Sequence, residues 1–177
     1  MSLLNGVAVS VKDVLKAKDE RTSYQQYLAI HDQATIVAFK LNIPGAIKNN
    51  KMITNIFNEG MLAWNQCVAE NRFKILTCTS DYKKTGPEYF ASLSQQPLLV
   101  KAITTKIEEE HPLGRLFDFD VLDKNLQQYG RSQIKKAARK CLICDADAFV
   151  CSRSQAHDLD CLLSNIINLA TDYFSSK

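Results

Sequence analysis

The sequence predicts an α+β fold, a mixed or antiparallel sheet packed by helices, and three observations carry that expectation. Apolar residues recur at helical spacing near both ends of the chain and again around residues 50 to 68. Between these stretches lie short runs rich in β-branched and aromatic residues, bounded by turn-forming Pro and Gly. One segment, Leu116 to Leu122, alternates apolar and acidic residues with a period of two, as a strand with unlike faces must. A length of 177 residues with 46% apolar and 23% charged residues suits a single domain with its own core, spanning 1–177.

In chain order, Ser10 followed by Asp13 forms a capping pair for a first helix over 11–31, carrying Val14, Leu15, Tyr24, Tyr27 and Leu28. Ile36 to Ile43 reads as a buried strand stopped by Pro44-Gly45. Asn49 or Asn50 caps a second helix whose stripe includes Met52, Ile53, Ile56, Phe57, Met61 and Trp64. Gly60 interrupts that stripe, which predicts close packing against the sheet. Lys74 to Thr79 and Glu88 to Leu93 are strand candidates joined by a basic loop from Ser80 to Pro87. Pro97 opens a short helical turn, and Ile103 to Glu109 reads as a strand that returns through a hairpin along Leu116 to Leu122. A further strand is expected near Leu126 to Arg131, then a helix through Ala137-Ala138, and a last helix capped by Ser154.

The chemistry centres on the stretch HPLGRLFDFDVL. A strand there puts Asp118 and Asp120 on one face and Phe117, Phe119 and Val121 on the other. Two carboxylates about 6 to 7 Å apart along a strand can reach one hard cation, and Mg²⁺ fits such an oxygen pair. Gly114 permits close backbone approach, and Arg115 offers a planar fork of donors for phosphate. Glu108, Glu109 and Glu110 lie near the same edge, and any of them can supply a third carboxylate or a base.

Two other clusters stand out. Lys135, Lys136, Arg139 and Lys140 can hold a polyphosphate or dock on an acidic carrier, although charge runs are usually solvated. Cys141-x2-Cys144-x6-Cys151-x5-His157 has the composition of a zinc site. On an unbroken helix Cys151 and His157 point about 120° apart, so they meet only if the chain bends near Ser152 to Ser154. Buried thiols are the expectation there, with structural Zn²⁺ the less favoured alternative.

The net charge of +3 is too mild to argue for nucleic acid but suits an acidic protein partner. The amino-terminal MSLLNGVAVSV lacks a basic leader, and no run reaches the ~20 apolar residues of a membrane span. A cytoplasmic protein with reduced cysteines and no membrane segment is expected.

HPLGRLFDFDVL resembles the signature of the holo-citrate lyase synthase family, the apo-citrate lyase phosphoribosyl-dephospho-CoA transferases. Further resemblance lies in Asp19-Glu20-Arg21, in Pro44-Gly45-Ala46-Ile47-Lys48, in Phe57-Asn58-Glu59-Gly60, in Gly86-Pro87-Glu88 and in Arg139-Lys140-Cys141 with the cysteines that follow. The chain departs from the pattern at Ala46 and at Ala137-Ala138, where prolines are expected. The glycine and Asp-x-Asp arrangement also resembles, more loosely, that of nucleotidyltransferases. The resemblance implies a nucleotidyltransferase-like domain that moves a phosphoribosyl-dephospho-CoA group from triphosphoribosyl-dephospho-CoA to a serine of the citrate lyase acyl carrier subunit, releasing pyrophosphate. On that reading Asp118 and Asp120 hold Mg²⁺ and serve catalysis, while Gly114, Arg115 and Arg139 bind substrate. Arg21, Lys48 and Arg153 have no assigned role. The alternatives are a zinc-containing adaptor that only docks an acidic carrier, and a related transferase acting on a malonate decarboxylase carrier.

Overall fold

The computed structural model describes residues 5–177; the first four residues of the amino-terminal stretch lie outside it. Helix α1 (Val11–Asp32) starts at Ser10, whose hydroxyl accepts the Asp13 N–H at 3.1 Å while the Asp13 carboxylate accepts the Ser10 N–H at 2.9 Å. Strand β1 (Thr35–Leu41) follows, then α2 (Lys51–Glu70), capped by the Asn50 side chain, which accepts from Ile53 N–H at 2.9 Å. Strands β2 (Ile75–Lys83) and β3 (Gly86–Leu93) form a hairpin, α3 (Pro97–Glu110) leads to β4 (Phe117–Leu122), and a two-residue β5 (Gln128–Tyr129) closes the sheet. Two helices end the chain, α4 (Ala148–Ser154) and α5 (Leu159–Ser175). The strands lie in the order β2-β3-β1-β4-β5, all antiparallel, which resolves the mixed-or-antiparallel expectation.

The period-two pattern gives the sheet two different faces. Phe39, Phe117, Phe119, Val121, Tyr89 and Leu93 point into the main core against Ile53, Phe57 and Trp64 of α2, Val100 and Ile107 of α3, and Ile166 of α5. Phe39 stacks between Phe57 and Phe119, with ring centroids 4.9 and 4.2 Å away. A Cβ on Gly60 would stand 2.4 Å from the Phe39 ring, so this glycine is the close-packing point that its place in the stripe predicts. On the opposite face Ile36, Ala38, Phe90 and Leu122 bury against Leu28 and Ala29 of α1. Further along that face stand the charged Lys40, Glu88, Asp118 and Asp120.

Four expectations are corrected. Ile103 to Glu109 is helical: Val100, Thr104, Ile107 and Glu108 are buried at intervals of three and four, and core contact overrides the β-branched run Ile103-Thr104-Thr105. HPLGR therefore joins a helix to a strand and is not a hairpin turn. Residues 80 to 87 form mostly strand rather than loop, with a turn only at Lys84-Thr85 before Gly86 at φ 116°. Ala137-Ala138 do not extend a helix, because only a 3₁₀ turn at Arg131–Ile134 forms there. Finally, Ser154 ends α4, and Asp158 caps α5 by accepting the Cys161 N–H at 2.7 Å. Among the described residues no helix is long and apolar enough to cross a membrane.

Candidate active site

The charged part of the sheet is built by strand register. Lys40 of β1 stands opposite Glu88 of β3 on one side and Asp118 of β4 on the other, so three charged side chains from three strands share a face. The Lys40 ammonium bonds Asp118 Oδ2 and reaches Asp120 Oδ2 at 3.1 Å. The two carboxylates share a face, as the alternation in LFDFDVL predicts, and both meet the Lys40 ammonium. Burial opposes the charge on Asp118, but Lys40 above all, then Arg139 and Lys101, holds its carboxyl below the usual range. Burial likewise works against the Lys40 charge, and Asp120 and Asp118 outweigh it to raise the ammonium. Gln128 Nε2 donates to the other oxygen of Asp120 at 2.7 Å.

Beside the pair stands a buried carboxylate that the sequence left among three candidates. Strand β5 pairs only with Val121 and Leu122, so α3 completes the β4 edge at Phe119: its N–H donates to Glu108 Oε1 at 3.0 Å, and its carbonyl accepts from Lys101 Nζ at 2.9 Å. Glu108 is 2% exposed and also pairs with Arg131 at 2.7 Å and Arg139 at 2.8 Å. Arg139 in turn stands 3.6 Å from Asp118. Glu108 therefore holds Arg139 at the Asp pair. Glu109 is turned elsewhere, toward Arg131 at 2.8 Å and Lys136 at 2.9 Å.

The remaining expected residues fall in separate places. The Arg115 guanidinium donates to the Cys141 carbonyl at 2.6 Å, while its buried Nε has no partner. Arg115, Arg139 and Lys140 line an open cavity of about 480 Å³ whose other walls include Leu142, Leu159 and Leu162. Gly114 is buried, its N–H donates to the His111 carbonyl at 2.8 Å, and a Cβ would meet the Glu108 carbonyl oxygen at 2.5 Å. Its small size seats the turn on the end of α3 and does not open the backbone to a phosphate. Arg21 pairs with Glu88, and Arg21, Lys40 and Lys48 line a small recess on the charged face. Arg153 lies over the Phe149 ring at 5.8 Å. The run 135 to 140 is not a free basic patch, since Lys136 pairs with Glu109, Arg139 with Glu108 and Lys140 with Asp145.

The cysteine region meets the expectation of buried thiols only at Cys151, for Cys141 is half-buried. The ligand atoms of Cys141, Cys144, Cys151 and His157 lie within 4.8 Å of one another, and Cys144 is exposed. Gln155, in the left-handed region at φ 50°, supplies the bend that brings His157 back to Cys151. Burial raises the Cys141 thiol, but the N–H groups of Ile143 and Cys144 and the facing thiols bring it down to about 6. Cys151, facing Cys144, is pushed up to about 12. Three thiols and an imidazole in this arrangement can hold a metal ion such as zinc.

Of the residues gathered here, Lys40, Lys101 and Arg131 escape a reading of the sequence, and Glu108 is left unresolved among three neighbouring glutamates. Lys40 alone leaves a faint signal, as the one charge within the otherwise uncharged strand TIVAFKL.

A carboxylate pair with the Arg139 guanidinium 3.6 Å from Asp118, beside a cavity that Arg139 lines, can hold a phosphate-bearing ligand. The family model described as apo-citrate lyase phosphoribosyl-dephospho-CoA transferase matches residues 9–173, and the chain belongs to that family. It is 33% identical over 168 residues to the probable apo-citrate lyase phosphoribosyl-dephospho-CoA transferase of Vibrio cholerae serotype O1 (strain M66-2), covering 94% of each chain. It is 32% identical over 165 residues to the apo-citrate lyase phosphoribosyl-dephospho-CoA transferase of Shigella boydii serotype 18, covering 93% of this chain and 90% of the relative. The same figures hold for the enzyme of Escherichia coli strain SE11.

Proposed function

We propose that this chain acts as one nucleotidyltransferase-like domain that moves the phosphoribosyl-dephospho-CoA group from triphosphoribosyl-dephospho-CoA to a serine hydroxyl of the citrate lyase acyl carrier subunit. The serine hydroxyl gives up its proton, its oxygen bonds to the inner phosphorus, the bond from that phosphorus to the outer two phosphates breaks, and pyrophosphate leaves. The observation that carries this reading is the convergence of Asp118 and Asp120 on a single cationic point, with Arg139 3.6 Å from Asp118 and lining the adjoining cavity.

Each residue then has a task. Asp118 and Asp120 offer hard oxygen donors to one Mg²⁺, and their shared reach to the Lys40 ammonium supports that fit. When bound, Mg²⁺ offsets charge on the phosphoryl oxygens and on departing pyrophosphate. Lys40 favours the ionised form of Asp118 and adds a positive charge beside the phosphates. Arg139, held by Glu108, and Arg115, on the cavity wall, grip phosphate oxygens. The apolar lining from Leu142, Leu159 and Leu162 suits the nucleoside part of the donor.

The test mixes the purified chain with apo-carrier, triphosphoribosyl-dephospho-CoA and Mg²⁺ and records the intact mass of the carrier. A gain equal to the donor minus pyrophosphate is expected. An unmodified citrate lyase carrier beside a modified malonate decarboxylase carrier would reassign the acceptor, and no modification of either would end the transferase reading.

A further inference from the structure

From Arg131 through Asp158 the chain has almost no core of its own. Cys151 is the only buried residue in that span, and its regular structure amounts to a 3₁₀ turn and the short α4. A segment this poor in apolar burial cannot offset its conformational entropy by packing, and small structures of this kind rely on a staple. Yet this segment places Arg139 against Glu108 and Asp118, offers the Cys141 carbonyl to Arg115, and walls the 480 Å³ cavity.

Within the span the backbone forms a knuckle. Lys140 bridges Asp147, Cys141 N–H donates to the Ala146 carbonyl at 2.8 Å, and Ala148 N–H donates to the Arg139 carbonyl at 2.8 Å. The Ile143 N–H lies 3.5 Å from the Cys141 sulfur, oriented toward it. Cys144 at the tip of the knuckle stands 3.5 Å from the Cys151 sulfur and 3.3 Å from His157 Nε2. Tetrahedral zinc with bonds of about 2.3 Å to sulfur and about 2.0 Å to nitrogen has edges of about 3.8 Å between sulfurs and about 3.5 Å between sulfur and nitrogen. Both observed separations come within a few tenths of an ångström of those edges.

We propose that Cys141, Cys144, Cys151 and His157 bind one structural Zn²⁺, which serves as the core of the segment that carries Arg139 and the cavity wall. Four protein ligands fill the tetrahedron, so the ion has no position open to substrate and acts by holding the chain together. The metal site rests on the cysteine and histidine geometry; only its consequence for transfer rests on the function proposed above.

The test begins with metal analysis of the purified full-length chain after desalting from a zinc-containing buffer. One zinc per chain is expected, falling at least tenfold in Cys144→Ser and unchanged in Cys161→Ser, whose exposed thiol lies outside the cluster. Cys144 is exposed, so this variant keeps the main core, which circular dichroism checks. Cobalt substitution should give the visible bands of a tetrahedral thiolate site. Removal of the metal with a chelator should raise hydrogen exchange across residues 139 to 157 while β1 and α2 keep their protection. Absence of stoichiometric metal, or full zinc retention in both Cys144→Ser and Cys151→Ser, would overturn the site. Unchanged exchange on metal removal would overturn its structural role. These readouts need no transfer activity, so a stoichiometric zinc with an unmodified carrier would leave this site standing and sink the transferase reading alone.

Discussion

Lys40 and Asp118 face each other across β1 and β4, and the same ammonium reaches Asp120 at 3.1 Å. One cation therefore faces both carboxylates, and burial opposes the charges of Lys40 and Asp118. Replacement by Lys40→Gln leaves two carboxylates facing each other and should destabilise the fold by about 1–3 kcal/mol, less than a fully buried pair because the site is partly open. Millimolar Mg²⁺ should recover part of that loss by taking the ammonium's place. Urea unfolding with and without Mg²⁺ measures both effects, and indifference to Mg²⁺ would count against metal binding at this pair.

Asp118→Asn should leave the circular dichroism spectrum unchanged and lower carrier modification by about 100-fold or more, the scale of losing a charge that acts on the transferring phosphoryl group. Initial rates from intact-carrier mass decide the matter, and a rate within a few-fold of the parent would remove Asp118 from the chemistry.

Glu108 answers two guanidinium groups and one strand N–H from the interior. Glu108→Gln can still accept the Phe119 N–H but leaves Arg131 and Arg139 without that counter-charge, so a loss of about 3 kcal/mol is expected in chemical denaturation. Transfer by the folded variant should also fall, because Arg139 is then no longer fixed beside Asp118.

Two glycines make a graded comparison. In Gly60→Ala the new methyl meets the Phe39 ring, a side chain that can shift, and better helix propensity of about 1 kcal/mol partly offsets the strain. In Gly114→Ala the methyl meets the carbonyls of Ile107 and Glu108, which cannot move without breaking the end of α3. Thermal unfolding should show Gly114→Ala as the more damaging change, by more than about 1 kcal/mol. A reversed order would mean that the α3 end yields more easily than the aromatic stack.

His111 is half-buried between Phe117 and Tyr173, and burial holds its pKa below the ordinary value despite the nearby Glu59. Below about pH 6.5 the unfolded chain takes up this proton more readily than the folded one, so stability falls as the pH falls through that range. His111→Gln keeps an acceptor for the Leu113 N–H and should flatten this contribution. The difference in unfolding free energy between parent and variant, followed from pH 8 to pH 5, should move against the parent on the acid side.

What the sequence reveals depends on how local each signal is. Helix α1 is legible from Ser10 and Asp13, α2 from Asn50, and the faces of β4 from its own alternation. The Asp pair is legible for the same reason, since both carboxylates lie on one strand. Lys40 is not, because its place between them is set by the register of β1 on β4. Helix α3 hides behind Ile103-Thr104-Thr105, whose branched side chains favour a strand until burial decides for a helix. The meeting of Cys151 and His157 turns on a left-handed glutamine at 155, a residue type that gives no warning of that conformation.

The row of Glu88, Lys40 and Asp118 has a bearing on biosynthesis. Its members are contributed by segments far apart along the chain, and Arg139 follows later still. During synthesis the ribosome must release all of β4, and then the knuckle, before these charges can neutralise one another. A nascent chain stalled before that point holds Lys40 with no Asp118 to meet it, so it has neither the stability nor the reactive arrangement of the finished protein. Truncated products are consequently expected to be inert, and a cell that makes this chain gains nothing active from an unfinished copy.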